Sequence, residues 1–316
     1  MPLIPNSNNP ISQNQDKKQD IHEIQFKKSE PIYTFSDLIL SDKTLDELKT
    51  VVSAQQNWKK VFVEWGLGSV MKERKSLFVN LYGESGTGKS MSAHAIASAL
   101  NKKLILVNYA DIESKYVGET SKNLSCLFND PDNKGDIIFF DEADALLSKR
   151  VTDMSSATDV SVNQTRSVLL TLLNSYEGMV IFATNFISNY DSAFMRRIHY
   201  HIRFDLPNES LRKILWNHYI PTSMPVDVDI EHLSRKYSNL SGSDISTAVM
   251  KAALNAAKNN ADHVSQDDFD TAIESIINSK NANSSTSSKI IKSEIIDEKD
   301  VPLSIRKKTA EKEEQG

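Results

Sequence analysis

Residues Gly83-Glu84-Ser85-Gly86-Thr87-Gly88-Lys89-Ser90 match the pattern G-x-x-x-x-G-K-[ST]. The glycines let backbone N–H groups close round a β-phosphate, and Lys89 can reach the β and γ oxygens. Ser90 offers a hydroxyl to Mg²⁺ at the start of a helix, where the dipole favours anions. The flanks suit the motif: Leu77 to Tyr82 reads as a strand and Met91 to Leu100 as a helix, with Met91 the last member of the binding set. A triphosphate clasped by loop amides and a lysine is the chemistry this pattern predicts.

Ile137-Ile138-Phe139-Phe140-Asp141-Glu142 is an apolar run ending in paired carboxylates. A buried strand would deliver those acids at its C-terminal edge, beside the phosphate loop of the neighbouring strand. Asp141 is then placed to hold Mg²⁺, directly or through water, and Glu142 to polarise an attacking water. In-line transfer of a γ-phosphoryl group needs little more than positive charge on the developing oxyanion. Taken alone, an acidic pair after a strand also serves as a helix cap or a solvated turn.

The elements that must position these groups follow from the pattern of apolar residues. Leu77 to Tyr82, Leu104 to Asn108, Ile137 to Phe140, Met179 to Ala183 and Tyr200 to Phe204 are strand candidates, several of them continuously apolar. Between them lie helical patterns. After Asn163, residues Leu169, Leu172, Leu173 and Tyr176 recur at i, i+3, i+4, i+7 and stop at Gly178. The alternation predicts a three-layer α/β/α sandwich with a parallel five-stranded sheet over residues 31–207. Beyond Pro207 the pattern turns helical: Ser243 precedes a stripe of Ile245, Val249, Ala252, Ala253 and Ala256, and Ser265 with Asp268 forms a capping pattern before Phe269. This predicts a small all-helical lid over residues 208–278. Residues 1–30 and 279–316 are polar, poor in large apolar groups, and expected to be flexible tails.

The net charge of -5 argues against a chain built chiefly to coat nucleic acid. Cys126 is the single cysteine, so no internal disulfide can form, a reducing cytoplasmic setting is expected, and the thiol itself reads as a small buried apolar group. The longest apolar runs are too short to cross a bilayer, and the N-terminal residues are polar, without a leader's apolar core.

Asp141-Glu142-Ala143-Asp144, Ala183-Thr184-Asn185 after a strand, and Asp191-Ser192-Ala193-Phe194-Met195-Arg196-Arg197 follow the glycine loop in order. In these motifs residues 33–278 resemble the AAA ATPases in the narrow sense. Trp65-Gly66-Leu67 and the Arg-Arg-Ile-His-Tyr-His-Ile-Arg-Phe run are most similar to stand-alone bacterial members with one ATPase module. The resemblance implies ATP and Mg²⁺ as ligands, and a homo-oligomer, by family expectation a hexamer, with shared active sites. It makes Asn185 the sensor residue that orients the attacking water, although an asparagine after a strand also forms an Asx-turn. Arg197, or Arg196, becomes an arginine finger donated to the next subunit, where two adjacent arginines are otherwise solvated surface. The second finger common in the family is absent, because Tyr200 stands at that position and the usual Pro-Gly is missing.

In Lys115-Tyr116-Val117-Gly118-Glu119 the resemblance implies a pore loop whose Tyr116 and Val117 grip an extended polypeptide; the local pattern alone also suits a core tyrosine beside a turn. His218 matches a position near the nucleotide's sugar or base in relatives and equally suits a structural histidine. His199 and His201 could share a face of one strand, but no third ligand accompanies them. The implied activity is ATP-driven remodelling, unfolding or disassembly of a protein. A nucleic-acid motor or loader with the same machinery is the alternative, and a nucleotide-dependent binding switch with little turnover is a third.

Overall fold

The computed structural model describes residues 26–71, 76–108, 119–148, 157–185 and 190–287. The chain divides into two units, one ending at Leu211 and one beginning at Arg212. Each is described by itself.

Unit one is built on a six-stranded sheet. Its strands are β1 (Lys28–Ser29), β2 (Leu77–Gly83), β3 (Leu104–Asn108), β4 (Ile137–Asp141), β5 (Met179–Thr184) and β6 (Tyr200–Phe204), in the order β1-β3-β4-β5-β2-β6. The last five are parallel, as the continuous apolar runs predict, and β1 pairs antiparallel with β3 through Lys28↔Ile105 and Ser29↔Leu104. Those two edge residues fall inside the stretch expected to be an N-terminal tail. Pairing at an edge needs backbone groups rather than apolar side chains, so composition gives no sign of it.

Strands β2, β4 and β5 are buried on both faces because helices cover each side. Phe78, Phe140 and Phe182 point to one core with Leu124, Leu127, Phe128, Leu169 and Leu173, carried by α3 (Glu119–Asn129) and α5 (Ala157–Ser175), and with Leu146 and Leu147 of the short α4 (Asp144–Leu147). Val79, Leu81, Phe139 and Ile181 point the other way, onto α1 (Asp42–Gln56) and α2 (Lys89–Ala99). That period-2 division between two cores is the three-layer arrangement. Cys126 is exposed rather than buried. On α3 the buried stripe is Leu124, Leu127 and Phe128, spaced i, i+3, i+4, and position 126 lies off that stripe.

Strand β2 lies between β5 and β6, so the chain leaves it toward β3 on one side and returns as β6 on the other. Its C-terminal end is therefore a switch point, where parallel sheets leave a crevice for ligands. The acid-bearing β4 is not the strand hydrogen-bonded to β2: β5 intervenes. The expectation that the carboxylates come from the immediate neighbour is corrected to the next strand but one, and β5 places Asn185 between the two motifs.

Unit two carries the rest of α7 (Glu209–Tyr219) and α8 (Ile230–Lys236), α9 (Gly242–Lys258) and α10 (Gln266–Ser287). A two-residue parallel pair, β7 (Val226–Asp227) with β8 (Val264–Ser265), accompanies the helices. Trp216 is fully buried against the edge of Phe269, centroids 5.9 Å apart. Arg212 ties α7 to the end of α8, donating to the Ser234 carbonyl at 3.0 and 2.8 Å and to the Ser238 carbonyl at 3.0 Å. The cap of α9 is Ser241. Its hydroxyl accepts from Asp244 N, and the Asp244 carboxylate accepts from Ser241 N at 2.7 Å. Helix α10 runs to Ser287, past residue 278, where a tail was expected to begin.

Candidate functional site

Gly83 ends β2 with φ 142°, and a Cβ there would stand 2.0 Å from the Phe204 carbonyl oxygen on β6. No side chain fits, so the turn out of the strand requires glycine. Gly88 has φ 101° and is the N-cap of α2, but no side chain caps this helix. The contrast with α1, where Ser41 accepts from Thr44 N, and with α9 is informative. The first amides of α2 are left for a ligand, and a helix N-terminus without a cap suits an anion.

Lys89 folds back across the loop. Its Nζ donates to the Gly83 and Glu84 carbonyls, both at 2.8 Å, and to Asn185 Oδ1 at 3.1 Å. The ammonium has three protons and all are used. Burial lowers its pKa, while Asp141, Asp144 and Glu84 oppose that shift by attraction. Thr87 closes the loop from inside by donating to the Glu84 carbonyl at 2.7 Å. Ser85 and Gly86 are exposed, and Met91 packs partly buried against the α1–α2 core.

The carboxylates meet this loop from the far side of β5. Ser90 Oγ donates to Asp141 Oδ2 at 2.9 Å, and Asp141 Oδ1 accepts from Glu142 N at 3.0 Å. Glu142 has φ 51°, a left-handed conformation that costs a non-glycine residue about 1 kcal/mol. The neighbouring backbone holds it there, since Ala143 N donates to the Ala183 carbonyl at 2.9 Å. The Glu142 side chain is exposed.

Asn185 is fixed twice. Its side-chain oxygen receives Lys89, and its backbone N–H donates to both oxygens of Asp144 at 3.2 Å. The sequence marks Asp144 only as part of a motif. Its work on Asn185 depends on β4 and β5 being adjacent, which no local pattern announces.

Lys89, Ser90, Asp141 and Asn185 thus converge at one end of the sheet, with Glu142 beside Asp141. The arginines do not join them within the chain. Arg197 follows α6 (Ser192–Met195) and donates from Nε to Asn174 Oδ1 and from Nη1 to the Ala193 carbonyl, both at 2.8 Å. Arg196 is exposed. His199 Nδ1 accepts from Phe78 N at 3.0 Å, which gives that ring a place in the β2–β6 seam. His218 is an exposed residue of α7 in unit two, its ring edge-on to Tyr219. Tyr116 and Val117 lie outside the described residues.

The residue set fits a nucleoside triphosphate with a divalent cation. Uncapped amides and an ammonium suit phosphates, and the Ser90 hydroxyl beside the Asp141 carboxylate is the hard-oxygen pair that Mg²⁺ takes together with phosphate oxygens and water.

Comparison with known proteins agrees with the geometry. Residues 79–206 match the model described as "ATPase family associated with various cellular activities (AAA)", and residues 227–271 match the AAA+ lid domain. The chain is 31% identical over 244 residues to a 26S proteasome regulatory subunit 8 homolog of Encephalitozoon cuniculi, covering 75% of this chain and 60% of that protein. It is 30% identical to the ATP-dependent zinc metalloprotease FtsH 2 of a Thermoanaerobacter species, over 77% of this chain and 47% of the relative. It is 29% identical to proteasome-activating nucleotidase 1 of Haloferax volcanii, over 83% of this chain and 65% of the relative. The chain therefore spans between about half and two thirds of the length of these relatives.

Proposed function

The chain belongs to the AAA family of ATPases, and from that premise we propose that it hydrolyses ATP with Mg²⁺ and works as a ring of identical copies that remodels a protein partner. The observation that carries the catalytic part is the convergence of Lys89 on Asn185 and of Ser90 on Asp141. The relatives named as a proteasome regulatory subunit, a proteasome-activating nucleotidase and an ATP-dependent zinc metalloprotease support a protein rather than a nucleic acid as the substrate, and the net charge of -5 agrees.

In this reading the amides of Gly86 to Ser90 and the Lys89 ammonium bind the β- and γ-phosphates. Lys89 already sits among carbonyl acceptors, so phosphate oxygens exchange for the Gly83 and Glu84 carbonyls at little conformational cost. Ser90 and Asp141 hold the cation, which neutralises phosphate charge when bound. Asn185, held by Asp144, orients the attacking water, and the Glu142 carboxylate accepts its proton. Arg197, with Arg196 beside it, completes the charge on a neighbouring copy's nucleotide, a contribution on the order of 10³-fold or more in other NTPases. Tyr116 and Val117 grip the polypeptide at the ring axis, and His218 borders the nucleotide.

The test is phosphate release by the wild type, Glu142→Gln and Lys89→Ala, each with and without an unfolded protein, with DNA as the contrasting activator. Turnover that the unfolded protein stimulates and that disappears in both variants is expected. Stimulation by DNA alone favours the motor reading, and no turnover with any activator favours a binding switch. Sizing of Glu142→Gln with ATP checks for the ring.

A further inference from the structure

A string of buried polar side chains runs through the sheet behind the site and has no part in binding phosphate. Asn80, in the middle of β2, is fully buried. Its Oδ1 accepts from Thr184 Oγ1 at 3.5 Å on β5, and the Tyr190 hydroxyl donates to the same Thr184 oxygen and lies beside the Asn80 amide. Asn80 Nδ2 has no hydrogen-bond partner among the described residues, and neither has His201 Nδ1, also buried.

These two atoms belong to register partners, Asn80↔His201, on adjacent parallel strands. Directly paired residues point to the same face, and such strands lie about 4.8 Å apart. Asn80 and His201 therefore share one face of the β2–β6 seam; no direct hydrogen bond joins them, and a single bridging water would satisfy the amide donor and the imidazole acceptor together. The His201 ring also meets the Met195 backbone carbonyl, so Nδ1 is the nitrogen left to accept. The ends of the string are telling. Thr184 immediately precedes Asn185, which receives Lys89, and Met195 immediately precedes Arg196 and Arg197.

An apolar pair at these positions would cost less than a buried amide and imidazole, since a polar group in a core must be matched or it destabilises. What directed hydrogen bonds supply instead is a single relative placement of the pieces they join.

We infer that Asn80 and His201 are positioning residues for phosphoryl transfer, holding the Arg196–Arg197 turn in register with the Asn185 end of β5. The inference rests on the functional reading above, which gives those arginines their work on a neighbouring nucleotide. It adds the device that keeps donor turn and sensor residue in step.

The test compares full-length wild type, Asn80→Leu, His201→Leu, His201→Gln and Arg197→Ala by steady-state phosphate release and by affinity for a fluorescent ADP. Asn80→Leu and His201→Leu should lower kcat roughly tenfold while leaving KM and ADP affinity within about twofold, the signature Arg197→Ala also gives. His201→Gln, whose amide can both accept from Asn80 and donate to Met195, should recover most of kcat. Wild-type kcat in Arg197→Ala overturns the functional reading and this inference with it. A loss in Arg197→Ala with wild-type kcat in Asn80→Leu and His201→Leu overturns the inference alone. So does a loss in His201→Gln as deep as in His201→Leu, or an ADP affinity that falls in step with kcat, because either marks a general packing defect.

Discussion

Replacing Asp144 with alanine removes the support that holds the Asn185 backbone, separately from the Lys89 contact to its side chain. The Asp144 carboxylate accepts the Asn185 backbone N–H on both oxygens at 3.2 Å. A hydrogen bond to a charged acceptor is worth about 1.5–3 kcal/mol, and its loss leaves a partly buried N–H without that acceptor. Not all of this reaches the transition state, because Lys89 still holds the Asn185 side chain at 3.1 Å. If about 1.4 kcal/mol of orientation is lost, kcat falls roughly tenfold. Nucleotide affinity should change little, since the loop amides, Ser90 and Asp141 are untouched. Asp144→Asn keeps one acceptor oxygen and should fall between wild type and alanine. The assay is steady-state phosphate release alongside nucleotide titration. Unchanged kcat in Asp144→Ala, or a loss carried entirely by affinity, refutes the positioning argument.

Other expectations concern the scaffold. Gly83→Ala must place a Cβ 2.0 Å from the Phe204 carbonyl at φ 142°, and should destabilise unit one by about 3 kcal/mol or more, read as a lower urea midpoint. Burial pushes the Tyr190 phenol up to about 12 from an ordinary value of 10.0. A raised folded-state pKa favours the neutral form, so its stabilising contribution is complete below pH 10.0 and is lost as pH climbs toward about 12. Thermal melts of Tyr190→Phe should fall less steeply than wild type across that window. Arg212→Met removes the hydrogen bonds that the guanidinium donates to the Ser234 and Ser238 carbonyls and should cost unit two about 3 kcal/mol, seen as faster amide exchange in α8.

What could be read from sequence was whatever is encoded locally. The glycine loop, its lysine and serine, and the apolar strand ending in Asp141 carry their chemistry in consecutive residues, and the continuous apolar runs fixed the parallel sheet. What escaped depends on partners distant in the chain. Asp144 matters because β4 lies against β5, and Asn80 because β6 brings His201 opposite it. Strand β1 escaped because a two-residue edge is held by backbone pairing and by the Lys28–Asp136 ion pair, 108 residues apart in the chain, neither of which leaves an apolar pattern. Cys126 was misplaced because a small residue next to a stripe resembles one on it, and only the helix phase set by Leu124 and Leu127 separates the two.

The central claim is that one triphosphate is held between the Gly83–Ser90 loop and the Asp141–Glu142 carboxylates. An experimental structure of Glu142→Gln with ATP and Mg²⁺ tests it most directly. The account predicts phosphates on the α2 amides and Lys89, with the cation at Ser90 and Asp141. Nucleotide bound elsewhere, with the Lys89–Asn185 and Ser90–Asp141 contacts undisturbed, contradicts it.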